Sequence, residues 1–415
     1  MFCKEIATHR NPAKNTAMLW VIAGIAILAL SLRAPIISPT AVMADIQSDT
    51  GLSAAGAGLL TGLPVLLFAI ATPLATGTIR RFGVESTIIM CLVGVLIGTI
   101  VRSLGSAPLM LVGTVVIGAA ITLGNIVVPV IIRRDVPWRR APVATGVYSA
   151  AMNVGSMATL LGTAPLAAAF GWRIAIAAWT VIAALGLVFW LVFLRMRRAG
   201  VNSAELAADP TPRRPTTEAD AAMLVSARSR NRKVTALLVF GFCGQSAAYY
   251  ATTTWLPLLL AETSGLSLAS SAASASLFQI AAVAGALGVP LLAARTGPWV
   301  PALIVAICWV ALPLGLLAAP EAYIAFSVIG GVAQGGGFTA IFSLIPRITS
   351  TNAQAASTSA RIQGGGYVAA TIAPPLAGWL NTTTGGWDAP LALVLAATLV
   401  FAIGTLSAVR LVARD

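Results

Sequence analysis

The sequence predicts an all-α membrane protein with twelve transmembrane helices. Of its 415 residues, 58% are apolar and only 9% are charged, whereas about 25% of the residues of a soluble domain are charged. The apolar residues form long runs that suit the roughly 20 residues a helix needs to cross a bilayer. They do not alternate with polar residues as membrane β-strands require. We therefore expect a bundle of helices embedded in a lipid bilayer.

Polar and proline- or glycine-containing breaks divide the chain into twelve helical segments. Six are predicted near residues 17–43, 53–76, 86–106, 108–132, 142–169 and 173–194. Six more are predicted near residues 234–261, 268–294, 298–318, 321–345, 353–380 and 388–411. The first segment is longer than the apolar region of a signal peptide and is expected to be a retained helix.

One polar stretch separates the two sets of helices. It covers residues 195–233 and mixes arginines with Pro210, Pro212 and Pro215, which is typical of a flexible linker or a short surface helix. The predicted domains are an N-terminal six-helix bundle (1–194), a cytoplasmic linker (195–233) and a C-terminal six-helix bundle (234–415).

The two predicted halves resemble each other in sequence. Ser149-Ala150, Gly155 and Pro165-Leu166-Ala167 of the fifth helix recur 210 positions later as Ser359-Ala360, Gly365 and Pro375-Leu376-Ala377. Val116-Ile117-Gly118 of the fourth helix recurs 212 positions later in the tenth helix. Parallel six-helix repeats are typical of the major facilitator fold, in which the two halves rock about a site near the membrane midplane.

The charges predict the orientation. The formal net charge is +13, and the basic residues lie in short segments between apolar runs, as on the cytoplasmic side of a membrane protein. These are Lys4, Arg10, Lys14, Arg80, Arg81, Arg133, Arg134, Arg139, Arg140, nine residues of the linker, Arg295, Arg347, Arg410 and Arg414. The opposite loops carry Asp45, Asp49, Glu262, Glu321 and Asp388. We expect an inner-membrane protein with both termini in the cytoplasm and no nucleic-acid partner.

Enzyme, metal and cofactor signatures are missing from the sequence. There is no Gly-Lys dipeptide and therefore no Walker A loop, and the single histidine excludes an HExxH zinc site. The four cysteines are widely spaced and form no CxxC pair. We expect no catalytic residues, no metal and no cofactor.

Arg33 is the most unusual residue of the sequence because it lies inside the first predicted helix. An unpaired arginine there costs at least about 2.5 kcal/mol. It either snorkels to the outer interface or lines a water-filled cavity as a fixed cation, and a planar guanidinium suits carboxylate-like ligands. Arg102, at the end of the third helix, is expected to snorkel to the outer surface. Arg361, in the eleventh helix, fits the cavity and the inner headgroups equally well.

No Asp or Glu lies within a predicted helix interior, so the embedded charge is positive and favours an anionic substrate. Uncharged polar residues of the inner helices are further candidates for substrate binding, although hydrogen bonds between helices explain about half of them. The candidates are Asn125, Tyr148, Asn153, Gln245, Tyr249, Gln279, Gln334, Gln363 and Tyr367. Gln245 follows Arg33 by 212 positions, so the two residues are expected to face each other across the pseudo-twofold axis.

Several strings of residues resemble a known family. They include Leu59-Leu60-Thr61-Gly62-Leu63-Pro64, Gly146-Val147-Tyr148-Ser149-Ala150-Ala151-Met152, and Gln245-Ser246 with Tyr249-Tyr250 and Trp255-Leu256-Pro257. With these strings the chain resembles the cyanate permease and 2-nitroimidazole transporter family of the major facilitator superfamily over nearly all twelve helices. One departure is the loop Gly77–Gly83, which lacks the aspartate of the usual superfamily pattern.

The resemblance implies secondary transport of a small, often anionic or dipolar solute, with Arg33 and Gln245 in or near the cavity. Together with the residues, it leads us to expect a monomeric alternating-access permease whose partner is a small anionic molecule. Cyanate is one substrate of that family, although its members are diverse. The alternative is an efflux pump for drugs or metabolites with the same fold, which the 7% aromatic content and the lack of a membrane carboxylate disfavour.

Overall fold

A computed structural model of the chain describes residues 12–52, 54–200, 218–265 and 268–413, and almost all of these residues are helical. The N-terminal bundle contains α1 (Pro12–Ile37), α2 (Met43–Thr50), α3 (Ala54–Ile70), α4 (Thr72–Ser103), α5 (Ala107–Asp135), α6 (Ala141–Phe170), α7 (Trp172–Ala178) and α8 (Thr180–Gly200). The C-terminal bundle contains α9 (Glu218–Ser264), α10 (Leu268–Thr296), α11 (Trp299–Ala318), α12 (Tyr323–Phe342), α13 (Ile345–Ile348), α14 (Asn352–Thr384) and α15 (Asp388–Val412).

The all-α membrane fold is confirmed. Each of the twelve predicted segments overlaps helical residues, and nine segments of the described chain are long and apolar enough to cross a membrane. Neither α6 nor α14 is among the nine, although they contain 30 and 33 residues. These two helices are richer in small and polar residues, and both contact helices of the other bundle. Their lower hydropathy therefore matches helices that turn one face toward the other bundle.

The boundaries of the first three predicted helices differ from the prediction. The range of α4 contains two helical pieces that meet at a kink at Gly83, whose φ of 82° and ψ of 173° are not helical, within the predicted loop between the second and third helices. Residues with a side chain rarely adopt this conformation, so one glycine replaces the loop. Helix α1 ends at Ile37, and a 3-10 segment, Ser38–Val42, follows it. Pro39 in that segment has no N–H and cannot continue an α-helical ladder.

The linker region is partly helical. Helix α9 begins at Glu218, so residues 218–233 extend the helix that crosses the membrane next. The part of the predicted linker at 201–217 lies outside the described residues.

The same kind of hydrogen bond closes each bundle on the side that carries the acidic loops. In the N-terminal bundle the indole N–H of Trp172 donates to Asp49 over 2.9 Å. In the C-terminal bundle the indole N–H of Trp387 donates to Glu262 over 2.7 Å. We call this side the acidic face and the opposite side, with Arg133 and its neighbours, the basic face. The paired geometry agrees with the internal repeat of the sequence.

Helices α10 and α12 approach backbone to backbone because glycines face each other between them. A Cβ atom on Gly285 would overlap the Val332 carbonyl oxygen, and one on Gly335 would overlap the Ala282 carbonyl oxygen. Small residues permit such close approach, and packing rather than the hydrophobic effect holds helices together in lipid.

Replacing Gly285 with alanine should therefore destabilise the protein by about 1–3 kcal/mol, because α10 and α12 must separate to admit the methyl group. Gly288→Ala is the matched control on the same helix, since no atom of a neighbouring helix lies within 4 Å of its Cβ position. Thermal unfolding of the purified variants in detergent, followed by tryptophan fluorescence, measures the difference. Equal unfolding midpoints for the two variants would contradict the assigned helix contact.

Candidate functional site

Arg33 lies on α1, one turn before the helix ends at Ile37, and its side chain is half-buried. Its guanidinium carbon lies 6.0 Å from the centroid of the Tyr249 ring, at the limit of cation–π attraction. Tyr250 and Tyr367 also lie close enough to interact electrostatically with the Arg33 guanidinium. The cation of the N-terminal bundle is thus surrounded by tyrosines of α9 and α14, in the other bundle.

No carboxylate pairs with Arg33 among the described residues. The described ion pairs lie at the two faces of the molecule: Asp49–Arg173, Glu85–Arg134, Glu85–Arg197, Asp135–Arg134 and Asp135–Arg197. Tyrosine hydroxyls and ring faces stabilise a guanidinium but do not neutralise its charge. The positive charge at Arg33 is therefore available to an anion or to the negative end of a dipole.

A polar network joins the two bundles beside this site. The Tyr148 hydroxyl donates to Asn125 Oδ1 over 3.1 Å, and Asn125 Nδ2 donates to the Tyr367 hydroxyl over 3.3 Å. The Tyr367 hydroxyl donates to Gln363 Oε1 over 3.2 Å, and Gln363 Nε2 donates to the backbone carbonyl oxygen of Asn125 over 2.8 Å. Four predicted site residues therefore form one connected, buried group that spans the boundary between α5, α6 and α14.

Gln245 has a different environment from the one the sequence predicts. The indole N–H of Trp309 donates to Gln245 Oε1 over 2.6 Å, and Gln245 Nε2 donates to the carbonyl oxygen of Gln334 over 2.8 Å. The side chain is 3% exposed. Both ends of its amide are thus bound within the C-terminal bundle, where Gln245 holds α9, α11 and α12 together. A contact between Gln245 and substrate stays a prediction.

Of the remaining amide candidates, one bonds to a tyrosine near Arg33 and another bonds within its own helix. Gln279 Nε2 donates to the Tyr249 hydroxyl over 3.2 Å and so supports a tyrosine next to Arg33. The side-chain oxygens of Gln279 and Gln334 are buried and have no hydrogen-bond partner. Asn153 donates to the Ser149 carbonyl oxygen one turn earlier over 2.9 Å, a bond within its own helix.

The structure separates the two other helix arginines. Arg361 is exposed and shares a helical stripe of α14 with Val368, Ile372 and Trp379, which are 51%, 57% and 60% exposed. Large apolar residues exposed along one stripe face lipid, so this placement favours the headgroup alternative for Arg361. The snorkelling expected of Arg102 is wrong: its side chain is fully buried, and its Nη2 donates to Ser38 Oγ over 3.3 Å. Ser38 belongs to the 3-10 segment and is itself buried, so Arg102 bonds to the protein interior and not to the surface.

Other aromatic residues at the site escaped the sequence-based prediction. The Phe68 and Tyr367 rings are 5.0 Å apart, and the Phe338 and Tyr148 rings are 5.7 Å apart. Both phenylalanines lie in apolar helices, and no periodicity distinguishes a cavity residue from a lipid-facing one there. Tyr250 could have been predicted, because it is a polar residue adjacent to the predicted Tyr249.

The bundles also meet at the basic face. Arg133, at the end of α5, donates to Asn352 Oδ1 over 2.5 Å, to the Thr349 carbonyl oxygen over 3.3 Å and to the Ser350 carbonyl oxygen. We call these contacts the basic-face latch. Nearby, Gly146 of α6 packs against the carbonyl oxygen of Ala286. The latch closes the basic-face end of the boundary between the bundles.

Two bundles of membrane-spanning helices that meet along a polar boundary define a class of protein, the membrane transporters. The sequence profile described as Major Facilitator Superfamily matches residues 19–323. The chain belongs to this superfamily and is a transporter rather than an enzyme.

Similar proteins agree with this assignment. The chain is 32% identical to the 2-nitroimidazole transporter of Escherichia coli (strain K12), with 96% of each chain covered. It is 30% identical to the uncharacterized transporter YycB of Bacillus subtilis (strain 168), with 93% of this chain and 92% of that protein covered. The crystal structure of the superfamily transporter FucP in the outward conformation superposes with a TM-score of 0.74 at 15% identity, over 94% of this chain and 99% of that one.

Proposed function

We propose that the protein carries a small anion, or a planar molecule with a strong dipole, across the inner membrane by alternating access. The observation that carries this proposal is the half-buried Arg33 side chain, which faces tyrosines of the opposite bundle and has no carboxylate partner among the described residues. Arg33 anchors the negative end of the substrate. Tyr249, Tyr250 and Tyr367 form the walls, and Gln279 supports Tyr249.

The chemistry of this site favours flat substrates with paired oxygen acceptors. A guanidinium presents its donors as a planar fork that matches two adjacent oxygens, and tyrosine rings offer flat faces for stacking. The similarity to a 2-nitroimidazole transporter supports the same class, because a nitro group presents two oxygens on a planar ring. Cyanate, a small linear anion, suits the charge but makes less use of the rings.

The two bundles exchange access between the faces of the membrane. Basic residues concentrate on the side of the Arg133 latch, so we assign this face to the cytoplasm by the positive-inside rule. The conformation described here is closed at that side, where Arg133 and Gly146 contact the C-terminal bundle. Opening toward the cytoplasm then requires the latch and the Asn125–Tyr367 hydrogen bond to break. We propose that one chain suffices, because both halves of the site come from the same chain.

Counterflow into proteoliposomes tests the substrate class with a matched pair of ligands. The purified protein should exchange labelled 2-nitroimidazole and should take up imidazole, which lacks the nitro group, no faster than protein-free liposomes do. Cyanate and nitrate are included as small anions, and choline as a cation. Failure to exchange any acceptor-bearing ligand, or equal uptake of imidazole and 2-nitroimidazole, would reject the assigned class.

A further inference from the structure

Arg102 is a second embedded cation, and the transport site does not use it. Its side chain is fully buried near the acidic-face end of α4. Its Nη2 donates to Ser38 Oγ over 3.3 Å, whereas its Nε and Nη1 have no hydrogen-bond partner. Buried guanidinium donors are rarely left unpaired, because each unsatisfied group bears its full desolvation cost.

The described acidic residues of the N-terminal bundle do not neutralise this charge. Asp49 pairs with Arg173, and Glu85 and Asp135 pair with arginines at the basic face. Asp45 is exposed and takes part in none of the described ion pairs. A bound water would satisfy the donors of Arg102 but would leave its charge buried and uncompensated, and such a charge is strongly destabilising.

The surroundings of Arg102 favour a small ligand. Helices α4 and α5 pack closely here, since a Cβ on Gly113 would lie 2.7 Å from the Arg102 backbone nitrogen. Ser38 is also fully buried, and its hydroxyl, which accepts from Arg102, keeps its own proton available to a further acceptor. One unpartnered guanidinium donor and the Ser38 hydroxyl can therefore share a single small ion, and the close packing leaves little room for an organic anion.

The 3-10 segment that carries Ser38 also leads to the surface. Its residues Ala41 and Val42 line a cavity of about 660 Å³ at the acidic face, and Arg173 and Asp45 line the same cavity. This cavity gives a hydrated ion a place to enter, three residues along the 3-10 segment from Ser38.

We propose that Arg102 and Ser38 bind a small monovalent inorganic anion, with chloride as the available physiological ion. The anion neutralises the buried guanidinium and fixes the 3-10 segment to the end of α4. This site is separate from the transport site, because its donors belong to the N-terminal bundle alone and none of the described hydrogen bonds of Arg102 reaches a tyrosine near Arg33.

Thermal unfolding of the purified protein tests the site with chloride as the probe. The protein is prepared in sodium gluconate, and sodium chloride replaces the gluconate at constant ionic strength. The unfolding midpoint should rise saturably by roughly 3 °C, because a ligand that binds the folded state alone stabilises it. Bromide should act like chloride, whereas sulfate at equal ionic strength should not. No rise with chloride, or an equal rise with sulfate, would overturn the proposal.

Three variants locate the effect. Arg102→Met removes the charge and should abolish the response to chloride, while Arg33→Gln should keep it. Ser38→Ala keeps the charge and should raise the half-saturating chloride concentration about fivefold, as expected for the loss of one hydrogen bond. This milder variant provides the test if Arg102→Met does not fold. A chloride response unchanged in Arg102→Met, or an unchanged half-saturating concentration in Ser38→Ala, would contradict the assignment.

Discussion

Replacing Arg33 with glutamine should lower the efficiency of substrate uptake about 100-fold. Two charge-assisted hydrogen bonds from the guanidinium to one substrate are together worth roughly 3 kcal/mol, and each 1.4 kcal/mol corresponds to a factor of ten in affinity. Glutamine preserves polarity but supplies neither the charge nor the planar fork. Arg33→Lys keeps the charge and loses the fork, so its uptake should fall between that of the unmodified protein and that of Arg33→Gln. The measurement is initial-rate counterflow in proteoliposomes.

The same substitution separates a substrate-binding role from a structural one. Because Arg33 lacks a carboxylate partner among the described residues, removing its charge leaves no acid unpaired. Arg33→Gln should therefore unfold at the same temperature as the unmodified protein, or higher, while its uptake is lost. Arg361→Gln is the matched control: its side chain lies on the lipid-facing stripe of α14, and its uptake should be unchanged. Uptake by Arg33→Gln within twofold of normal would reject Arg33 as the anchor.

Replacing Arg133 with alanine should shift the protein toward the state that is open at the basic face. The substitution removes the latch hydrogen bonds to Thr349, Ser350 and Asn352. It also removes a cation from the C-terminal end of α13, where carbonyl groups favour positive charge. A loss of about 1.5–3 kcal/mol from the closed state changes the equilibrium roughly 10- to 100-fold.

Ser149 provides the readout for this shift. It is 1% exposed and its hydroxyl lies 3.5 Å from the Gly335 carbonyl oxygen across the boundary between the bundles. In a background without native cysteines, Ser149→Cys should react with a membrane-impermeant thiol reagent at least about tenfold faster when Arg133 is alanine. The reagent is applied from the basic face, using membrane vesicles of the appropriate orientation.

Arg134 offers a neighbouring control for the latch. Its ion pairs with Glu85 and Asp135 lie wholly within the N-terminal bundle, so Arg134→Ala should leave the reactivity of Ser149→Cys unchanged. Equal reactivity in the Arg133 and Arg134 variants would show that the Arg133 contacts do not control access.

Parts of the candidate site could be predicted from the sequence because burial of charge in lipid is costly wherever it occurs. Arg33 stood out for this reason, and the polar residues Asn125, Tyr148, Gln363 and Tyr367 were identified in the same way. The structure joins those four into one network. Their partners were not predictable, because a hydrogen bond across the bundles depends on the rotation of each helix and on the register between helices.

The sequence by itself determined the all-α membrane fold, since backbone groups in lipid must be satisfied within helices and run length alone reveals them. Only the tertiary structure decided which face of each helix points inward. Apolar residues face both lipid and the protein interior, so a membrane helix lacks the polar stripe that orients a helix in water. For this reason the predictions for Arg102, Arg361 and Gln245 rested on residue type alone and not on the direction in which each side chain points. Packing buried Arg102 beside Ser38, turned Arg361 to the lipid-facing stripe, and bound both ends of Gln245 within one bundle.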